Sequence, residues 1–144
     1  MSEKFTKGMA RNIYFGGSLF FVLVFLGLSF DTIEKLPARD HRENITESVA
    51  LGKKVWEDNN CVGCHTILGE GAYFAPELGN VYIRFGKSKE AIKAFIKSRP
   101  VNGIPGRRSM PQFNLTEEEL ERMADFLKWT SEINTANWPP NKQG

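Results

Sequence analysis

Cysteine and histidine are scarce in this 144-residue chain, which has two of each. Cys61 and Cys64 are followed directly by His65, and the other histidine is His41. A tetrahedral zinc site would need further ligands, and the chain offers no third cysteine. A disulfide between Cys61 and Cys64 would leave His65 unexplained. A thioredoxin-like redox pair would need a βαβ context, which the sequence does not show.

The chain also lacks internal repeats, low-complexity tracts and any sustained alternation of the kind that predicts strands. Its net charge is only +2, and the residues after position 30 contain 16 basic and 16 acidic side chains. A neutral body argues against nucleic acid as a partner. Seven prolines, thirteen glycines and 41% apolar residues indicate one small, loop-rich, all-α domain with an appendage.

What the chain does have is the segment Cys-Val-Gly-Cys-His at residues 61–65, the pattern of covalent haem attachment. One turn of helix lets Cys61 and Cys64 form thioethers to the two vinyl groups of one porphyrin. The ring is then held so that His65 meets the iron face-on as proximal ligand. The pattern therefore predicts one covalent haem c, which would also supply much of the core that the small body lacks.

A second feature is the run of 18 uncharged, mostly apolar residues at positions 13–30. As a helix this run spans roughly 27 Å, close to the hydrocarbon thickness of a bilayer. A cleaved signal peptide is the alternative interpretation. The run is longer than a typical signal core, and no A-x-A-like cleavage site follows before Pro37. We therefore predict a single uncleaved transmembrane anchor.

The charges that flank this run predict its orientation. Lys4, Lys7 and Arg11 precede it, whereas Asp31 and Glu34 follow it. Because cytoplasmic flanks carry the excess of Lys and Arg, residues 1–12 are predicted to lie in the cytoplasm and the body on the outer side of the membrane. Covalent haem attachment in bacteria belongs on that same outer side, so two independent signals agree.

A polar tether is predicted over residues 31–45, and the haem domain over residues 46–144. The first helix of the domain is predicted from about Thr46 to Asn59, with either Asn44 or Thr46 as its cap. Gly52 is costly in a helix interior, so we expect a close packing partner there.

Two more helices are predicted in the domain. One covers residues 88–98 and carries a lysine face opposite its apolar stripe, formed by Lys89, Lys93 and Lys97. This face is interpreted as solvated, with a docking surface for an acidic partner as the alternative. The other helix begins at Thr116, whose capping box with Glu119 is the clearest start signal in the chain. The tail after Ile133 is predicted to be irregular.

The second iron ligand must come from another part of the chain. Methionine raises the reduction potential relative to a second histidine and suits an electron carrier. Met1 and Met9 lie on the wrong side of the membrane. Met123 falls on the apolar stripe of the last predicted helix, where a core role is the default. Met110 lies in a loop between two helices and is therefore predicted to approach the haem from the face opposite His65.

The order of these features resembles a class I cytochrome c. It comprises a helix, the haem motif, an Ala-Pro-x-Leu segment at residues 75–78, a middle helix, a Met-Pro loop and a terminal helix. The resemblance covers about residues 46–133. It implies that the carbonyl of Pro76 accepts a hydrogen bond from His65, which would fix the orientation and basicity of the ring. Arg84 is one of the candidate partners for the haem propionates.

A closer resemblance lies in residues 65–78, whose Gly-Glu-Gly-Ala-Tyr-Phe insert is similar to the haem c-carrying subunit of bacterial nitric oxide reductase, a cytochrome c. The resemblance implies a heterodimer with a polytopic haem b subunit that reduces nitric oxide to nitrous oxide. It implies that this chain receives electrons from a soluble periplasmic donor and passes them to that haem b. It also implies that backbone carbonyls of Gly71 and Tyr73 help hold a calcium ion at the interface with the partner.

No feature of the chain predicts nitric oxide reduction by this subunit itself. His65 and Met110 would fill both axial positions of the iron, and one anchor cannot enclose a second metal centre. The predicted role is electron transfer within an enzyme complex. Two alternatives stay open. One is a free-standing, membrane-tethered cytochrome that serves oxidases or other reductases. The other is a haem-based sensor, which would need an open or labile sixth position.

Overall fold

The computed structural model describes residues 5–136 and divides into two units after Ala38. The first unit consists of most of helix α1 (Lys7–Arg39), and the second is a small helical domain. The domain contains α2 (Glu47–Asp58), a hairpin of β1 (Thr66–Ile67) and β2 (Glu70–Gly71), α3 (Val81–Arg84), α4 (Lys89–Lys97) and α5 (Glu117–Glu132). Short 3₁₀ turns occupy Arg42–Asn44 and Cys61–Gly63. The prediction of an all-α fold is confirmed, since each strand has only two residues.

Helix α1 contains the whole apolar run at residues 13–30 and buries none of its residues. Its large side chains are open to their surroundings, with Phe21 and Phe30 each 69% exposed. By length and composition α1 can cross a membrane. An isolated apolar helix of this kind is stable in hydrocarbon because its backbone hydrogen bonds are all internal.

The segment predicted as a polar tether is helical over its first part, because α1 continues to Arg39. Side chains support this extension: Asp31 and Lys35 form an ion pair at 2.5 Å, and the hydroxyl of Thr32 donates to the carbonyl of Leu28 at 2.8 Å. Pro37 lies in the last turn, so it interrupts little helix before the end. The first part of the predicted tether, residues 31–39, is therefore the end of α1.

The helix starts in the domain follow local capping chemistry. The hydroxyl of Thr46 accepts from the N–H of Val49, so Thr46 and not Asn44 caps α2. The capping box of Thr116 and Glu119 is complete at the start of α5. The predicted starts of the helices are thus confirmed. Most of the predicted irregular tail lies outside the described residues.

Helices α2 and α5 touch backbone to backbone at Gly52. A Cβ atom at this position would lie 2.0 Å from the carbonyl oxygen of Arg122 and 2.8 Å from Cβ of Phe126. The close packing partner expected for Gly52 is therefore α5. The core surrounds this contact with buried apolar side chains, including Val49, Val55, Trp56, Met123, Phe126 and Leu127.

The lysine face of α4 is partly exposed and pairs with acidic residues of α5. Lys89 contacts Glu121 and lies 2.8 Å from Asp125, and Lys93 lies 2.5 Å from Glu121. Lys97 pairs with Glu117 one turn of α5 earlier. The lysines therefore form an ionic seam between two helices while staying partly exposed. The docking alternative is corrected, because their charges are already paired within the domain.

We expect Gly52→Ala to destabilise the domain, because the added methyl group meets the backbone of α5. Overpacking of this kind lowers the free energy of unfolding by about 1–3 kcal/mol. Thermal or denaturant unfolding of the detergent-solubilised protein measures the change. Gly27→Ala is the matched control, since a Cβ there has no neighbour within 4 Å. A Gly52→Ala domain as stable as the parent would contradict the close contact.

The ionic seam predicts an acid-sensitive contribution to stability. Hydrogen bonds from Lys89 and Lys93 lower the pKa of Glu121 below its ordinary value of 4.5. A lowered folded-state pKa gives stability that is present above about pH 4.5 and is lost as the pH falls through the folded value.

Glu121→Gln should therefore lower the free energy of unfolding at pH 7, by less than about 1 kcal/mol because the pair is partly exposed. It should also reduce the loss of stability on acidification from neutral pH, which denaturant unfolding at a series of pH values measures. Glu132→Gln, at the other end of α5, should leave that pH dependence closer to the parent's.

Candidate haem site

The attachment segment begins where α2 ends. Asn60 adopts a left-handed conformation (φ 51°), and the 3₁₀ turn Cys61–Gly63 follows at once. The N–H groups of Cys64 and His65 both donate to the carbonyl of Cys61, at 3.1 and 2.9 Å. One compact turn thus carries both thiols and the imidazole, as the spacing of the motif predicts.

The two thiols are not joined in a disulfide. Burial raises the pKa of the Cys61 thiol to about 11, so this thiol stays protonated at neutral pH. A protonated thiol is a poor metal ligand and a poor nucleophile. Within residues 5–136, no three His, Cys, Asp or Glu side chains come together as a metal-binding group. Both sulfurs are free thiols on one turn, as the predicted thioether bonds require.

The orientation of His65 is fixed by Pro76. Nδ1 of the imidazole lies 2.7 Å from the carbonyl oxygen of Pro76. A carbonyl oxygen can only accept, so Nδ1 carries the proton and Nε2 keeps a free lone pair. Burial lowers the pKa of His65, and this outweighs the opposing effect of the hydrogen bond to Pro76. The imidazole is therefore neutral at pH 7, which is its iron-ligating form.

The chain after His65 folds back as the hairpin β1–β2, which sequence reasoning missed. Its two-residue turn is Leu68-Gly69, with φ angles of 55° and 88°. Positive φ at both positions is typical of a type I′ hairpin turn, but leucine is an unusual residue there. Because the conformation contradicts the ordinary preference of leucine, the sequence alone gives no reason to expect a turn.

Backbone hydrogen bonds fasten the rest of this loop to the attachment segment. Ala72 donates to the carbonyl of Val62 at 3.0 Å, and Ala75 donates to the carbonyl of Cys64 at 2.9 Å. Gly71 has φ 121°, and a Cβ there would lie 2.3 Å from the carbonyl oxygen of His65. The close approach that Gly71 permits is therefore to its own chain. A side chain at this position would disturb His65 directly.

The outer side of the loop is exposed and apolar. Tyr73 and Phe74 are 77% and 69% exposed. The guanidinium of Arg108 lies 4.4 Å from the centroid of the Phe74 ring, a cation–π contact. Arg108 belongs to the loop between α4 and α5, so the loop that carries Met110 meets the loop that follows His65.

The two candidate methionines have different surroundings. Met123 is 3% exposed and belongs to the core cluster beside Trp56. Met110 is half-buried in the loop between α4 and α5. In the same loop, the hydroxyl of Ser109 accepts from the N–H of Ile104 at 2.9 Å. Met123 is thus committed to packing, which leaves Met110 as the methionine suited to ligation.

Two charged residues lie close to the loop after His65. Arg84 donates from Nη2 to the backbone carbonyl of Glu77 at 2.6 Å, and its role as a partner of the haem propionates stays a prediction. Sequence reasoning missed Glu77 itself, whose carboxylate accepts hydrogen bonds inside the loop after His65. In the sequence, Glu77 is a single acidic residue between Pro76 and Leu78, and this pattern alone does not predict that its carboxylate binds the loop.

The residues present fit a haem c. They supply two free thiols on one turn and a neutral imidazole with Nε2 available. The exposed side chains of Val62, in the attachment turn, and of Tyr73 and Phe74, in the loop fastened to it, add an apolar surface. A flat, mostly apolar porphyrin is suited to such a surface. When bound, the group supplies one-electron redox chemistry.

Comparison with known proteins agrees with this geometry. Residues 49–131 match the Cytochrome c family. Over the full length of both chains, the protein is 61% identical to the nitric oxide reductase C subunit of Stutzerimonas stutzeri and 51% identical to that of Paracoccus denitrificans. It is 46% identical to that of Cereibacter sphaeroides, again over both full lengths. The chain belongs to the family of nitric oxide reductase C subunits.

Membership of this family accounts for the two units of the structure. The domain is a cytochrome c and carries haem c, and α1 is suited to be its membrane anchor. The chain is thus a membrane-anchored electron-transfer cytochrome of nitric oxide reductase.

We propose that Met110, and not Met123, is the distal ligand of the iron. Met110→Ala should lower the reduction potential and abolish the thioether-to-iron band near the red edge of the visible spectrum, because a weaker ligand replaces sulfur. Met123→Leu nearly conserves volume and should cost less than about 1.5 kcal/mol of stability, with the spectrum intact. Acidified acetone should leave the haem on the polypeptide in both variants. The reverse pattern of spectra would show that the assignment is wrong.

Proposed function

We propose that this chain is the subunit through which electrons enter a nitric oxide reductase. It receives them from a soluble periplasmic donor and delivers them to the haem b of a polytopic partner subunit, which reduces nitric oxide to nitrous oxide. Membership of the family makes the chain part of a nitric oxide reductase complex. The observation that carries the finer proposal is the attachment turn, with His65 held as a neutral ligand by Pro76.

The roles of the residues follow from their geometry. Cys61 and Cys64 hold the one haem covalently, and His65 and Met110 ligate its iron. With two protein ligands the iron has no open position for nitric oxide. The chain therefore transfers electrons, and catalysis belongs to the partner. The fixed imidazole also keeps the ligand geometry similar in both oxidation states, which favours rapid electron transfer.

The orientation in the membrane follows from the charges around the apolar run. Lys7 and Arg11 precede the run within α1, and Asp31 and Glu34 follow it. The excess of basic residues at the amino-terminal side favours a cytoplasmic N-terminus and a periplasmic domain, with the chain in the bacterial inner membrane. This arrangement places the thiols on the side where haem attachment and soluble donors are found.

The exposed loop around Tyr73 and Phe74 is the proposed contact with the partner subunit. An apolar surface next to the haem site provides close packing without the cost of desolvating charges. The resemblance described above adds a calcium ion, held partly by the backbone carbonyls of Gly71 and Tyr73. Calcium is a hard cation that accepts backbone carbonyl ligands, so these groups are chemically suitable.

The test of the function is purification in mild detergent. We expect the chain to migrate together with a larger haem b protein, and reduction of its haem c by a soluble donor to be followed by oxidation on addition of nitric oxide. If the chain migrates alone and its reduced haem passes electrons to oxidases, the result would instead support a free-standing carrier. A visible spectrum without the thioether band would support a sensor.

We expect Tyr73→Ser to weaken assembly with the partner while leaving haem loading and the visible spectrum normal. The side chain is largely exposed, and the substitution keeps the backbone carbonyl that calcium would use. Loss of an aromatic anchor at an interface typically costs about 2 kcal/mol or more of binding free energy. The measurement is the amount of haem b protein recovered with the purified chain. Val101→Ser is the matched control, because Val101 is likewise largely exposed, at 69%, but lies outside this loop. Equal recovery of the partner with both variants would argue against docking through the loop.

A further inference from the structure

One carboxylate beside the haem site has no part in the function proposed above. Glu77 follows Pro76 directly. Its Oε1 accepts hydrogen bonds from the backbone N–H groups of Leu68 at 2.8 Å and of Gly79 at 3.0 Å. Its Oε2 lies 3.4 Å from the hydroxyl of Thr66. A half-buried carboxylate with two backbone donors joins the two ends of the loop that it lies in.

The fold leaves space for this carboxylate. Gly79 is buried, and a Cβ there would lie 2.6 Å from Oε1 of Glu77 and 3.2 Å from Cδ2 of Leu68. A larger residue would displace the carboxylate from its donors. Thr66, on the other side, is fully buried, and its carbonyl accepts from Leu78 at 2.9 Å. The carboxylate therefore occupies a formed pocket inside the loop.

The carboxylate also holds a strained residue. Leu68 has φ 55°, a left-handed conformation that bulky residues avoid. The N–H of Leu68 is one of the two donors to Glu77. A residue in an unfavourable conformation persists only where its surroundings fix it, and such positions cluster around functional sites.

A direct mechanical link leads from Glu77 to His65. The carbonyl of Pro76 and the N–H of Glu77 belong to one planar peptide unit, so the placement of Glu77 sets the direction of that carbonyl. On the other side of Glu77, Arg84 Nη2 holds the next carbonyl at 2.6 Å. The peptide on each side of Glu77 is therefore restrained. The Pro76 carbonyl is the group that accepts from Nδ1 of His65 at 2.7 Å.

We propose that Glu77 is a positioning residue for the axial histidine: its carboxylate clamps the loop between Leu68 and Gly79 and so keeps the Pro76 carbonyl on Nδ1 of His65. This inference rests on the proposed role of His65 as proximal ligand. The bond from Nδ1 raises the basicity of the imidazole and thereby favours the ferric state. The clamp would thus set both the ring orientation and part of the reduction potential.

The test compares Glu77→Asp with Glu77→Gln in the full-length, haem-loaded chain in detergent micelles. E77D keeps the charge but is one methylene too short to reach both backbone donors. We expect its Nδ1 proton to exchange with solvent about tenfold faster, the factor that corresponds to one lost hydrogen bond to a charged group. Its reduction potential should rise. E77Q keeps the length and an acceptor oxygen, so its exchange should stay near that of the parent.

Proton NMR of the His65 ring measures the exchange, and potentiometric titration measures the potential. Glu70→Gln is the control for charge alone, because Glu70 is exposed in the same loop. E70Q should leave the exchange rate unchanged. Any change of potential that E77Q and E70Q share reports the lost charge. The change of potential in E77D, which keeps the charge, reports the clamp.

Two outcomes would overturn the proposal. The first is an E77D protein whose Nδ1 proton exchanges as slowly as that of the parent. The second is an E77Q protein that exchanges as fast as E77D, because charge and not reach would then hold the loop. If E77D retains no haem, E77Q decides alone: slow exchange supports the clamp and fast exchange refutes it. A parent protein without histidine ligation would instead refute the proposed function, and its spectrum would show this before any variant is made.

Discussion

The domain depends on one close contact between two helices that are far apart in the sequence. At Gly52 the backbones of α2 and α5 meet, and only a residue without a side chain allows it. This contact ties the first helix of the domain to the last. The core packs around it, and the chain between the two helices is left to form mostly loops. The haem site is built from those loops, and backbone hydrogen bonds give them their shape.

Much of this arrangement could be predicted, because its signals are local in the sequence. The haem motif lies within five residues, and the caps at Thr46, Ser88 and Thr116 depend on neighbours three positions away. The apolar run of α1 can be recognised from composition alone. Gly52 could be identified as a packing position because glycine is unfavourable in a helix interior, although the sequence did not reveal its partner.

The remaining features depend on contacts that no local pattern encodes. The pairing of Lys89 with Glu121 requires the register of α4 against α5, so a lysine stripe alone indicates a surface. The hairpin places Leu68 in a conformation that its own preference opposes, and the carboxylate that compensates lies nine residues away. The extension of α1 through Pro37 depends on where that proline lies in the last turn.

The distance along the chain between α2 and α5 also has a consequence for the order of events during synthesis. Helix α5 is among the last parts of the chain to be made, so Gly52 has no partner until synthesis is nearly complete. During that interval the turn at Cys61 lies on an unfinished domain. The core between α2 and α5 can therefore form only after the segment that carries Cys61, Cys64 and His65 has been made. The haem motif is thus already present in the chain when the contact that organises the domain first becomes possible.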